Sequence, residues 1–168
     1  MLNSLSGRFL ILTTIFVMLA EVLIFVPSIA RFREDYLLNR LERAQIASLA
    51  LLADDMLETE LEAELLQNAG VFNIVLRRDE ARQLMLSSPM PHEISGTFDL
   101  REGTAVVLMR DAVMRLTQPN NEVIRVIGAP LREAGLLIEV TMEAGPLRTA
   151  MIDYGLRILL LSAVISVI

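Results

Sequence analysis

Apolar residues crowd the two ends of the chain, and a mixed pattern fills the middle. Residues 9–26 read FLILTTIFVMLAEVLIFV, with Glu21 as the single charge, and Pro27-Ser28-Ile29-Ala30 prolongs the uncharged run. About 20 apolar residues in a helix cross the hydrocarbon core of a bilayer. A helix also satisfies its own backbone where no water is at hand. A first transmembrane helix is therefore predicted over 9–30, behind a short cytoplasmic tail, 1–8. A cleaved signal peptide is the rival reading, since Arg8 supplies a basic residue and Ser28-Ile29-Ala30 a small-x-small triplet. The run exceeds the roughly 7–15 residues of a signal-peptide core, which favours a retained anchor. At the far end, residues 158–168 read ILLLSAVISVI. As a helix they rise only about 16 Å, half a bilayer core. The expectation is the truncated start of a second transmembrane helix over 154–168, with a short core helix as the alternative.

Between the ends, 31–153 reads as one extracytoplasmic domain. Apolar positions Phe32, Tyr36, Leu37, Leu41, Ala44, Leu49, Leu52, Met56, Leu61 and Leu65 recur at helical spacing with charges between them. This predicts one amphipathic helix of about ten turns over 31–67, continuous with the first span, with Asp54-Asp55 as a point where it could break. Gly70 marks its stop. Strands are expected at 71–77, 83–87, 96–100, 122–129 and 136–142 from β-branched alternation. Residues 78–81 form a turn, and the prolines at 89 and 91 make 87–92 a loop. Residues 104–116 have helical periodicity, and Gly145-Pro146 opens a last helix that runs into the membrane. The fold class is α+β: a few antiparallel strands with long flanking helices packed on one face, between two transmembrane helices.

Composition narrows the chemistry. Among 168 residues there is no cysteine and one histidine, and the net charge is −6. A disulfide framework, a thiolate metal site and a cysteine nucleophile are excluded. A histidine cluster or a catalytic triad cannot be assembled from one histidine. The acidic balance disfavours nucleic acid, which needs a basic surface. No phosphate-cradling glycine loop or nucleophile elbow is present. No catalytic or cofactor-binding residue is therefore assigned. His92-Glu93 lacks the proline of a His-Glu-x-x-x-Pro phosphoacceptor box and sits in a loop.

Three weaker groups of candidates remain. Asp54, Asp55, Glu58 and Glu62 lie in an acidic stretch, and Asp54, Glu58 and Glu62 share a helix face. They could hold a divalent cation or form a solvated face. Arg101, Arg110, Arg115 and Arg125 could recognise a carboxylate or phosphate, or simply pair with surface carboxylates. In the first span, Thr14 lies one heptad before Glu21. A carboxyl there is costly, so the pair could mark a dimer seam, or Glu21 could snorkel to the interface.

The layout of tail, span, domain and second span resembles the input half of bacterial two-component sensor histidine kinases. The local wording RFREDYLLNRLERAQIASLALL, TFDLR, VLMRDA and AMIDYGLRILLLSAVIS carries the resemblance. It implies a PAS-like or Cache-like sensor domain, periplasmic, on a protein of the inner membrane. Charge alone does not orient the chain, because Arg8 is balanced by Arg31 and Arg33. The resemblance also implies a homodimer that signals to a response regulator through a kinase region lying after Ile168. The phosphoacceptor histidine, ATP and Mg would belong to that region, and no catalytic residue carries over to this chain. The alternatives are the input domain of another membrane receptor, such as a chemoreceptor or a cyclic-dinucleotide enzyme, or a membrane-anchored structural or assembly protein.

Overall fold

The structure, a computed structural model, describes residues 5–53, 59–78, 83–130 and 135–167. It opens on α1, Leu5–Ala53, a helix of 49 residues that passes through Pro27 without ending. Its N-terminal part holds an 18-residue window with a mean hydropathy of 2.7 and no buried residue. It is long and apolar enough to cross a membrane. Further along, the same helix changes character. Ala30, Arg33, Leu37, Leu41, Ala44 and Ser48 are buried at spacings of three and four, which turns one stripe toward a core.

The chain then reverses. α2, Thr59–Ala69, folds back beside α1, so that Arg40 Nη1 donates to the Ala69 carbonyl at 2.9 Å. The stretch expected over 31–67 is thus divided and not one helix: α1 ends at Ala53 and α2 begins at Thr59, on either side of Asp54-Asp55, the point at which a break is allowed. A straight helix would carry Leu66 about 20 Å and Ala69 about 24 Å beyond Ala53 and into solvent. Reversal buries them to 2 % and 3 % exposure. The stop at Gly70 is as expected. Gly70 has φ +68°, its N–H bonds to Gln67 O at 2.9 Å, and Val71 N–H bonds to Leu66 O at 3.1 Å. This is the Schellman pattern, which uses a left-handed residue that glycine adopts without strain.

Five strands follow: β1 Asn73–Arg77, β2 Gln83–Ser87, β3 Ile94–Asp99, β4 Val123–Gly128 and β5 Leu137–Glu143. α3, Ala105–Thr117, joins β3 to β4, and α4, Ala144–Val167, follows β5 without a loop. The sheet order is β2-β1-β5-β4-β3. The β1/β2, β1/β5 and β4/β5 pairs are antiparallel, whereas β3 and β4 run parallel. The sheet is therefore mixed, a correction to the all-antiparallel expectation. The reason is α3: a helical crossover returns the chain to the edge it left, so its two strands run the same way.

Register places Leu86, Ile74, Val140, Val126 and Phe98 in one row across the sheet. With Leu76, Ile138, Ile124 and Met142 they form the face that α1 covers, in one continuous core. Gly128 is required there, since a Cβ would stand 2.4 Å from Leu41 Cδ1. The α+β class follows as expected.

Candidate functional site

Long helices joined directly to a sheet make the junctions between them the places where a local change can travel. The first junction is α1 with α4. Phe32 and Tyr154 stack with ring centroids 4.4 Å apart and planes 13° from parallel. One residue on, Gly155 is buried, and a Cβ on it would meet Ile29 Cδ1 and the Phe25 ring at 3.2 Å. The two helices approach closely here because position 155 carries no side chain. Two turns further into the apolar segments, Ser162 Oγ donates to Glu21 Oε1 at 2.9 Å. Glu21 and Ser162 help line an otherwise apolar groove of about 350 Å³ between the helices, with Ile24, Phe25, Ile158 and Leu161. Glu21 therefore has a partner within its own chain. The Thr14 hydroxyl donates to the Leu10 carbonyl of its own helix at 2.9 Å.

The second junction is a cavity of about 310 Å³ where α2, the segment leading into β1 and the β5–α4 junction meet. Arg40, Ala63, Gln67, Ser88, Glu143 and Pro146 contribute to it, over an apolar floor of Leu66, Val71 and Met142. Its volume lies at the low end of small-molecule sites. Arg40 is held rigidly at its edge. Besides its bond to Ala69, it donates from Nη2 to the Tyr36 hydroxyl at 2.9 Å and lies 5.2 Å above that ring. A Cβ on Gly70 would fall 1.9 Å from Arg40 Nη1, so the guanidinium occupies the space a side chain would take. A cation on the last carbonyls of α2 also complements the helix dipole.

The third is a pair of buried arginines between α1 and α3. Arg33 and Arg115 are each 1 % exposed. Arg115 donates from Nη1 to Glu122 Oε2 at 2.8 Å and from Nη2 to the Pro119 carbonyl. Arg33 stands over the Phe98 ring, 4.5 Å from its centroid, while its Nε and Nη2 have no hydrogen-bond partner. Burial pulls its pKa below the usual guanidinium value; the Asp111 carboxylate opposes this and the Arg115 charge adds to it. α3 is also fastened to α4: Arg148 donates from Nε to Leu116 O and from Nη1 to Asn120 Oδ1, both at 3.0 Å.

The candidate arginines do not gather into one site. Each meets a carboxylate of its own: Arg101 with Asp99 at 2.6 Å, Arg110 with Asp111 at 3.0 Å, Arg115 with Glu122 at 2.8 Å and Arg125 with Glu139 at 2.9 Å. The Arg101 fork on Asp99 holds that carboxyl below the ordinary carboxylate range. Of the acidic candidates, Asp54, Asp55 and Glu58 lie outside the described residues, and Glu62 is half-buried on α2. Among the described residues no group of three or more His, Asp or Glu could hold a metal ion. His92 is exposed in the loop before β3. Sequence reasoning missed Arg33 and Arg40. The available signal for Arg33 was a charge four residues before Leu37, on the stripe that continues through Leu41 and Ala44. Comparison with protein-family models, with curated proteins and with solved structures finds no match to this chain.

Proposed function

We propose that the chain is the signal-sensing and transmembrane input region of a membrane receptor of the sensor histidine kinase kind. In this reading α1 crosses the inner membrane, the end of α4 enters it again, and the sheet domain is periplasmic and PAS-like or Cache-like with one strand pair turned parallel. The observation that carries the reading is the continuity of α4. Its first turn contributes Pro146 to the cavity beside Arg40, and its last turns carry exposed Leu159, Leu160, Leu161, Val164 and Ile165. One unbroken helix thus joins a small-molecule-sized cavity to an apolar segment that lies against α1. A ligand can bias such an element only by binding its two arrangements unequally. A cavity lined by α2 on one side and by the end of β5 and the head of α4 on another meets that condition, since its shape depends on where the head of α4 lies. Homodimerisation, ATP use and signalling to a response regulator belong to the same proposal.

The test is a chimera. Residues 1–168 are joined in frame to the cytoplasmic half of a receptor kinase of known output, and autophosphorylation is followed in membrane vesicles. Ala63→Trp, which fills the cavity from α2, is expected to shift the kinase rate several-fold. A rate unchanged by Ala63→Trp in a folded chimera would contradict a sensing role for this junction. A membrane-anchored assembly protein would give that result.

A further inference from the structure

α3 is apolar on the side that faces away from the core. Ala112 and Arg115 are buried, and Leu108, Met109 and Leu116 pack on the core behind them. The opposite side of the same helix presents Val106, Val107, Val113 and Met114, which are 75 %, 37 %, 45 % and 49 % exposed. Arg110 and Thr117 complete that face. A surface helix on a soluble domain ordinarily turns charged and polar residues outward. Four apolar side chains together mark a surface that contacts something else.

The position of α3 says what covers it. The helix packs on α1 beside Arg33. Arg33 stands three residues past Ala30, about 4.5 Å along the helix. The domain core itself reaches down to Ile29 and Ala30, which are 1 % and 5 % exposed at the very end of the apolar run. Asp111 and Arg115, in the second half of α3, act on the Arg33 charge, so this part of a helix about 10 Å across lies close to the level at which that run ends. We propose that α3 is an interfacial helix, which lays Val106, Val107, Val113 and Met114 into the surface of the same bilayer that α1 crosses. Arg110, whose side chain is 65 % exposed, stands in the middle of this face; it pairs with Asp111 at 3.0 Å, and in the proposal it turns from that carboxylate to lipid phosphate by snorkelling. The inference rests on the reading of α1 as a membrane span. Its consequence is a second input. α3 is tied to α4 through Arg148, so a change in the packing of the outer lipid surface would reach α4 without any ligand in the cavity.

The absence of cysteine makes single-cysteine labelling clean. The whole chain is placed in phosphatidylglycerol–phosphatidylethanolamine vesicles. Nitroxide labels are attached in turn at Val106→Cys, Val113→Cys and Met114→Cys, and collision with oxygen is compared with collision with a water-soluble nickel chelate. Phe16→Cys, inside the apolar run, reports the span, and Ile46→Cys, about 24 Å beyond Ala30, reports water above the membrane. The expected result is a depth of about 5–10 Å below the phosphates for all three α3 labels. Labels on α3 as open to nickel as Ile46→Cys, with Phe16→Cys in lipid, would overturn the interfacial helix and leave the span standing. Labels shielded from both reagents would overturn it in favour of a second copy of the chain. Nickel access at Phe16→Cys would remove the span and the inference together.

Discussion

Arg33 and Arg115 have equal burial and different accounts. Arg115 has a carboxylate and a carbonyl to receive its Nη protons and leaves only its Nε unpaired, whereas Arg33 leaves Nε and Nη2 unpaired and has a ring in place of an acceptor. An unpaired buried donor costs about 1–3 kcal/mol, and a cation above an aromatic ring returns about 0.5–2 kcal/mol. Arg33→Met is therefore expected to leave thermal stability unchanged or raise it. Arg115→Met strands Glu122 and the Pro119 carbonyl and is expected to cost about 2 kcal/mol. Thermal unfolding of the purified chain, followed by circular dichroism, separates the two; equal losses would contradict the assignment. The exposed Arg101–Asp99 fork is a weaker case with a defined sign. Its Asp99 pKa is lowered in the folded chain, so its stabilisation is present above the normal carboxylate range and fades as pH falls through the lowered value. Arg101→Ala should lower the melting temperature slightly at neutral pH and not at all in strong acid. A deficit that persists in strong acid would assign Arg101 a role other than that pair.

At the scale of elements, most of what the hydrophobic pattern predicted is present, with two departures. Periodicity locates helices and strands, because burial of one face imposes it. It does not say where the chain turns back. The stripe over 31–67 reads as one helix that could break at Asp54-Asp55, and only the core that receives Leu66 and Ala69 shows that its second part folds back. The direction of β3 was legible in principle: a helix between two neighbouring strands calls for a parallel pair. Arg40 gave little local sign, since Tyr36 is its partner on the same helix but the Ala69 carbonyl that it caps lies on another element. Two predictions belong to the α1–α4 pair. Gly155→Leu should force the helices apart at Phe25 and Ile29, whereas Gly155→Ala asks its neighbours to yield only a few tenths of an ångström. Spin-label distances between the two helices measure the difference, and an unchanged distance in the leucine variant would contradict close approach at this glycine. Glu21→Leu and Ser162→Ala remove one hydrogen bond from opposite ends. In a double-mutant cycle in detergent they should couple by about 1 kcal/mol, and strict additivity would mean that the bond carries no energy.

For the whole molecule, the fold joins a sheet domain to two helices that leave it side by side. Phe32 on Tyr154, Gly155 against Ile29 and Ser162 on Glu21 succeed one another down that pair. The central claim is that motion of α4 relative to α1 carries the signal out of the domain. The most direct measurement uses the kinase chimera with Phe32→Cys and Tyr154→Cys joined by a short reducible thiol linker. With the linker in place, the account predicts one kinase rate with and without Ala63→Trp, and a rate difference that returns on reduction. A response to Ala63→Trp that is as large with the helices linked as with them free would contradict it.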